Sequence, residues 1–332
     1  PGDNLATDLF NIIFSIVITK IEEEMRRAGM GWQDDTTTGH FSTPQQDDLD
    51  ATTSFVDDTV AQTEATNDCV LPRTKQLIDI INHIVLQHGM LLNYSPGKTA
   101  VLFSNHGAAT RSATKQIWQL TSKGINIKGA DQLLKPVAQY KHLGGQIRSN
   151  GSIQPELRLR TYEARSATAP LRKAVFKHDN LPQAQKIQYA EAYACSKLFY
   201  NPQTWSNWTD QARRQIQTAY ADIYRAVLRC PRAPHCHTTD DDILYRTNRP
   251  SVDDKLVYHR LLFLGRLLRS ASHTTRVLLD QMVRAETSWA TAITADQQWL
   301  QYHQDTDSPP YRENGISGYI RRPHMRHTGR LF

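Results

Sequence analysis

Two adjacent carboxylates, Asp57 and Asp58, lie inside the run Thr52-Thr53-Ser54-Phe55-Val56-Asp57-Asp58-Thr59-Val60. β-Branched and aromatic residues flank them on both sides, which favours extended backbone and predicts a hairpin with the acids at or near its turn. Two carboxylates held this close repel each other unless a cation or water screens them. Hard oxygen ligands on a turn suit Mg²⁺, which keeps several waters and also binds substrate phosphates.

Other pairs of the same type are present at Asp34-Asp35, Asp47-Asp48, Asp240-Asp241-Asp242 and Asp253-Asp254. An acidic pair on a turn is ordinarily solvated, so type alone does not single out Asp57 and Asp58. Cys230, His235, Cys236 and His237 have metal-ligand types, but their spacing lacks the two paired arms of a structural zinc site, and they read as a polar loop. Arg158, Arg165 and Arg172 recur every seven residues, which keeps them near one face of a helix that also carries Arg160, Lys173 and Lys177. A basic face of this kind binds phosphates without reading sequence.

These residues need elements to hold them. The 332 residues are enough for two domains and a sizeable core. Residues 1–150 hold 13 Lys+Arg against 16 Asp+Glu, whereas residues 151–332 hold 26 against 17. An acidic half before a basic half suggests a metal site in the first and a polyanion-binding surface in the second. No apolar run reaches the length a bilayer needs, since Leu9 to Ile18 is short and interrupted by Asn11 and Ser15. No signal peptide is visible, and four scattered cysteines do not form a disulfide framework, so an intracellular, reducing setting in nucleus or cytoplasm is expected. The chain opens on Pro1 and enters directly into a patterned segment, which reads as a fragment truncated at its N-terminus.

Apolar spacing of three and four predicts a helix through Ile12, Ile16, Val17, Ile21 and Met25, stopped at Gly29, and another over Thr74 to His88, capped by Gly89. Residues 31–52 read as a surface loop. Strands are expected at 99–104, Ile125 to Lys128 and Ala138 to Leu143, with a short helix at 112–122. From Ile153 the pattern is helical: Ile153–His178, Gln183–Tyr200, Thr209–Leu228, Asp253–Ala271 and Thr274–His303. The last residues, rich in Arg, Gly and Pro, read as a poorly ordered tail.

Four stretches in this order resemble a known family, the reverse transcriptases of non-LTR (LINE-type) retrotransposons. Gly2-Asp3-Asn4-Leu5-Ala6-Thr7-Asp8-Leu9-Phe10-Asn11 is similar to the family's Q-G-D-P-L-S-P-x-L-F-N loop and helix. Phe55-Val56-Asp57-Asp58 is similar to its [FY]-x-D-D motif. Gly89 to Thr99 is similar to its G-L-x-[LI]-N-x-x-K-T segment. Tyr140-Lys141-His142-Leu143-Gly144-Gly145 is similar to its [FY]-x-Y-L-G strand, and Val257 to Leu267 resembles its R-L-x-F-x-G-R-L. Asn4, Thr7, Asp8 and Val56 depart from the pattern.

The resemblance implies an α+β fold. Residues 1–148 would be the later part of a polymerase palm, with the hairpin and with helices packed on a small antiparallel sheet. Residues 149–303 would be an all-helical thumb and connection, and 304–332 a disordered tail. It implies an RNA-directed DNA polymerase with an RNA template, a DNA primer, a dNTP and two Mg²⁺ ions, and no membrane. Asp57 and Asp58 would be the catalytic, metal-binding carboxylates. Gly2, Asp3, Asn4, Phe55 and Lys98 would line the nucleotide and template pocket, with Lys98 near the leaving pyrophosphate. Tyr140, Leu143, Gly144 and Gly145 would form the primer grip. Arg158, Arg165 and Arg172 would track the nucleic-acid backbone. The family's fingers and first catalytic Asp precede the matched stretches, so the ligand set is incomplete here and the isolated chain is expected to be inactive. Two alternatives are a catalytically dead relic that only binds nucleic acid, and a metal-dependent nuclease with a second acidic cluster facing Asp57.

Overall fold

The computed structural model describes residues 4–30, 52–55, 58–104, 110–205, 208–232, 238–270 and 272–305. It is α+β and mostly helical, and it divides into two compact units, 1–151 and 152–332. Among the described residues no helix is long and apolar enough to cross a membrane.

The first unit is organised around one helix. In order it contains α1 (Asn4–Arg27), β1 (Thr52–Phe55), β2 (Asp58–Ala61), α2 (Val70–Gln87), β3 (Ala100–Val101), α3 (Thr110–Leu120), β4 (Ile125–Asn126), β5 (Leu133–Pro136), β6 (Gln139–His142) and β7 (Gly145–Arg148). Leu77, Ile84 and Val85 of α2 meet Val17, Ile21 and Met25 of α1, which recur every four residues. Ile78 lies on the other flank and packs with Tyr94, Ile125, Ile127 and Leu134, over the small sheet. Each such side chain removed from water contributes about 1.5–3 kcal/mol. Both α1 and α2 end as the glycines dictate. Met30 N–H reaches Met25 O at 2.8 Å and Met90 N–H reaches Val85 O at 3.0 Å. Gly29 and Gly89 take φ of 67° and 72° between them.

The strands do not form one antiparallel sheet. β1–β2 and β6–β7 are separate antiparallel ribbons, and the third sheet has the order β3-β5-β4 with β3 and β5 parallel. The reason is connectivity: α3 and β4 intervene between β3 and β5, a crossover long enough to return the chain in its original direction. β5, ending on Pro136, carries too little alternation to be read from sequence, and β7 follows a turn that reads as a strand end.

The second unit is all helical among its described residues. It contains α4 (Gln154–Leu171), a π-helical turn (Arg172–Phe176), α5 (Gln183–Tyr189), a second π turn (Ala190–Cys195), α6 (Ser196–Leu198), a 3₁₀ turn (Pro202–Thr204), α7 (Asp210–Leu228), α8 (Asp240–Arg246), α9 (Val252–Ser270), α10 (His273–Arg284) and α11 (Ser288–Asp305). The helix expected over 274–303 is therefore two, broken where Glu286 takes a φ of 46°. α7 begins at Thr209, whose hydroxyl accepts from Ala212 N–H at 3.2 Å. Its Ile216, Tyr220, Ile223 and Tyr224 form the centre of the core, with Leu157, Phe176, Leu198, Ile243 and Leu256 around them.

A charge network sits inside that core. The second π turn directs Glu191 and Cys195 at one hydroxyl: Tyr224 donates to the Glu191 carboxylate, and Cys195 Sγ lies 3.4 Å from the same oxygen. Lys255 Nζ meets Glu191 Oε2 at 3.1 Å and Arg249 meets Oε1 at 3.4 Å. Lys255 is also 5.1 Å from the Phe199 ring centre and 5.2 Å from that of Tyr220. Burial works to raise the Glu191 pKa, but Lys255, Tyr224 and Arg249 outweigh it and hold the carboxyl below its ordinary range. Burial pushes the Cys195 thiol up to about 12, so it is unreactive. Farther along, Arg260 clamps Asp296 at 2.5 and 2.9 Å and ties α9 to α11.

Two measurements follow from this network. Glu191→Ala should cost about 3 kcal/mol, because it leaves Lys255 buried without its counter-charge, and replacing both by Leu and Met should recover part of the loss. Urea unfolding of the single and double variants checks this, and strictly additive losses would show the two are uncoupled. Burial, with repulsion from Lys255 and Arg266, brings His259 from 6.5 down to about 4. Its neutral form is favoured in the fold, so the stability it contributes is full above pH 6.5 and is lost as pH falls from 6.5 through 4. His259→Phe should flatten the unfolding midpoint against pH within that window and leave it unchanged in slope above it.

Candidate active site

The hairpin is positioned by its feet. Ala61 of β2 packs into the α1–α2 core, and the Thr52 hydroxyl of β1 donates to Glu22 of α1. The register pairs Thr52 with Ala61 and Phe55 with Asp58. Asp58 is thus the first residue of β2, exposed and opposite Phe55, rather than part of the turn. The two residues between the strands, Val56 and Asp57, lie outside the described residues, as do Gly2 and Asp3. Asn4 opens α1.

Lys98 follows the Pro96-Gly97 turn, where Gly97 takes a φ of 81°. Its N–H donates to Ser95 O at 3.0 Å, and Thr99 N–H donates to Asn93 O at 2.8 Å, closing a compact loop. Tyr140 of β6 donates its hydroxyl to Lys98 O at 2.6 Å. Burial raises the Tyr140 pKa, and the Asp58 carboxylate raises it further through space. The Lys98 loop and the Tyr140 strand, far apart in sequence, therefore meet, and the Asp58 carboxylate lies near enough to act on that hydroxyl through space. The Lys98 ammonium itself is solvent-exposed.

Tyr140 to Gly145 is a hairpin rather than a strand running out into glycines. His142 pairs with Gly145, and Leu143 and Gly144 form the two-residue turn at φ of 46° and 80°. Both central residues in the left-handed region define a type I′ turn, which matches the twist of the flanking strands. Leucine is a poor residue for that backbone, so the turn carries strain of about 1–2 kcal/mol at Leu143.

Asp58 is a carboxylate of the kind a hard divalent cation takes, and it is open to solvent. It would serve as one ligand. Among the described residues no group of three or more His, Cys, Asp or Glu lies close enough to hold a metal ion. His235, Cys236 and His237 lie outside the described residues. Asp34-Asp35 and Asp47-Asp48 lie outside the described residues, and the two acidic runs that are described are occupied structurally. Asp240 meets Arg225 at 3.1 Å and Arg232 at 2.6 Å, Asp242 and Thr239 form a capping box, Asp254 accepts from Ser251 N–H at 3.2 Å, and Asp253 meets Arg213 at 3.3 Å. These are helix starts, and among the described residues they form no second acidic cluster of the kind a nuclease needs.

In the second unit Arg158 and Arg165 lie exposed on α4, and Arg172 opens the π turn that follows it. Among the described residues none of the three has an ion-pair partner. Arg160 is different: it is buried, bonds Glu156 at 2.6 Å and Glu163 at 2.7 Å, and lies 4.4 Å from the Tyr200 ring centre. It braces α4 and is not available to a ligand. Sequence reasoning passed over Tyr162, which is 71% exposed between Arg158 and Arg165. Its spacing of four and three from those arginines was the available signal.

Comparison with protein-family models, with curated proteins and with solved structures finds no match.

The bond from Tyr140 to Lys98 O predicts that Tyr140→Phe loosens the loop. Removing the hydroxyl leaves a carbonyl without its donor and should cost about 1 kcal/mol. Amide hydrogen exchange at Lys98 and Thr99 should quicken relative to that in α2. Unchanged exchange there would show the loop is held without Tyr140.

Proposed function

We propose that the chain is the later palm and the thumb of a LINE-type RNA-directed DNA polymerase, working on an RNA template, a DNA primer and a dNTP inside the cell. The observation that carries this reading is the bond from Tyr140 to the Lys98 loop, with the Asp58 carboxylate near enough to act on the same hydroxyl through space. Each comes from a different stretch that resembles the family, and the stretches are separated by 40 or more residues. A nucleotidyl transfer needs a carboxylate near a primer-holding strand and a cation near the departing pyrophosphate. The Asp58, Tyr140 and Lys98 positions have the right chemistry for those parts.

Under this reading Asp57 and Asp58 supply carboxylate oxygens for Mg²⁺. Metal bound there would stabilise the attacking and leaving oxygens of the transfer. The chain's own residues do the rest. The Leu143-Gly144 turn lets backbone approach a primer phosphate, and the exposed Lys98 ammonium offsets charge on the leaving group. By the family resemblance, the first metal-binding carboxylate and the fingers would be supplied by stretches other than those matched here. The α4 arginines would contact phosphates.

Primer extension on poly(rA)/oligo(dT) with dTTP and Mg²⁺ tests the proposal. The chain alone should be silent. The chain joined to the coding sequence preceding it should extend the primer, and Asp57→Ala should abolish extension. Lys98→Ala should slow it without releasing the duplex. Silence of the joined protein, with salt-sensitive binding retained, would overturn the polymerase reading in favour of a relic that only binds.

A further inference from the structure

The α4 face has a composition that phosphate contacts alone do not explain. Arg158, Tyr162, Arg165, Ala169 and Arg172 follow one another at steps of four, three, four and three, so they form one stripe along the helix. Arg158, Arg165 and Arg172 are exposed and carry no ion-pair partner among the described residues. At 1.5 Å per residue, Tyr162 stands about 6 Å along the axis from Arg158 and about 4.5 Å from Arg165. Tyr162 is left 71% exposed between two guanidinia that have no ion-pair partner among the described residues. Beside the stripe a groove of about 240 Å³ opens between α4 and α7, lined by Arg165, Thr168, Ala169, Arg172, Ala219 and Ile223 together with Asp222. Its walls are mostly apolar, and the Asp222 carboxylate is held by Arg232 at 2.8 Å.

We propose that the α4 stripe binds a single nucleic-acid strand, with one base stacked on Tyr162 and the next seated in the α4–α7 groove between Arg165 and Arg172. This rests on the reading that α4 faces nucleic acid, and it sharpens that reading from a duplex backbone to unpaired bases. A duplex keeps its bases stacked inside and offers this face only phosphates, for which Tyr162 and an apolar groove have no use. An unpaired strand offers both parts: phosphates for the guanidinia and flat ring faces for the tyrosine and the groove. Sequence preference should be weak, because every base has a stacking face.

Fluorescence anisotropy of the intact chain decides the matter, with probes and variants compared at one salt concentration and the arginine variant also followed across a salt series. The probes are labelled oligo(dT), an abasic oligodeoxynucleotide of the same length, a duplex, and polyglutamate as competitor. Oligo(dT) should bind about tenfold more tightly than the abasic strand. Tyr162→Ala should erase that gap and leave abasic binding unchanged, while Tyr162→Phe should keep it. Arg165→Gln with Arg172→Gln should weaken every nucleic-acid probe and flatten the salt dependence. Tyr162 is solvent-exposed, so the variants should fold, which circular dichroism verifies. Equal binding of oligo(dT) and abasic strand, or a silent Tyr162→Ala, would overturn the single-strand inference while leaving the backbone reading intact. Displacement by polyglutamate as effective as by oligo(dT) would reassign the face to an acidic protein. Failure of every nucleic-acid probe would remove the basic-surface reading as well.

Discussion

A buried ammonium and the half-buried carboxylate that meets it set the terms for the second unit. Lys255 is worth keeping buried only while Glu191 meets it and its remaining hydrogen-bonding capacity is filled. That requirement explains much of the surrounding geometry. The π turn at Ala190–Cys195 widens the helix so that Glu191 reaches inward, and Tyr224 of α7 supplies the second donor. Phe199 and Tyr220 present ring faces to the ammonium that a purely aliphatic core could not. Burial disfavours the charged form of His259, and the positive charge of Lys255 adds to that effect. α5, α7 and α9 are thereby fixed in relation to one another through one cluster of polar groups, which specifies their register more sharply than apolar packing would.

The first unit meets a different constraint. α2 is apolar on two flanks, one toward α1 and one toward the β3-β5-β4 sheet, and the polar groups lie where those two layers meet. Tyr94 donates to Asn82 at 3.0 Å, Asn82 donates to Lys128 O at 3.1 Å, and Lys128 N–H donates to Asp79 at 2.7 Å. This chain of bonds pins α2 to the segment after β4. The candidate site grows outward from that scaffold, through loops and two-residue turns. Each ribbon is marginal by itself. The bond between Tyr140 and Lys98 O and the foot of the first hairpin on α1 give those ribbons their footing. Strain at Leu143 is tolerated because β6 and β7 pair on both sides of it.

Much of this was legible in the sequence where a periodic signal and a stop signal coincide. α2 has apolar residues on two flanks and Gly89 at its end, and α7 has Thr209 before it, so both were readable within a few residues. The hairpin was readable because β-branched residues flank the acids. What failed did so for physical reasons. Thr274 to His303 keeps a helical composition across a break that depends on a single left-handed residue, Glu286, with no glycine to announce it. The parallel pairing of β3 with β5 depends on where a crossover lands, which local pattern does not encode. The division of labour among acids was also hidden. Asp240, Asp242 and Asp254 look like Asp58 in type and spacing, and only their neighbours show that they start helices.

The same ambiguity governs the basic residues, and it limits what net charge can say about binding. The second half carries an excess of nine positive charges, yet many of its arginines are spent inside the fold. Arg160 bridges two glutamates, Arg225 and Arg232 converge on Asp240, Arg249 joins the Glu191 cluster and Arg260 clamps Asp296. An arginine that must hold a buried carboxylate cannot also release counterions from a nucleic-acid strand. The charge that matters for a partner is therefore the remainder. Along α4 and into the π turn that remainder is ordered, with three guanidinia on one stripe that have no ion-pair partner among the described residues, and a tyrosine between two of them. Sequence period placed Arg158, Arg165 and Arg172 together, but the burial of Arg160 and the exposure of Tyr162 turn a basic helix into a face with a defined chemistry. Charge alone would attract any polyanion; the ring and the groove beside it are what a strand with free bases can use.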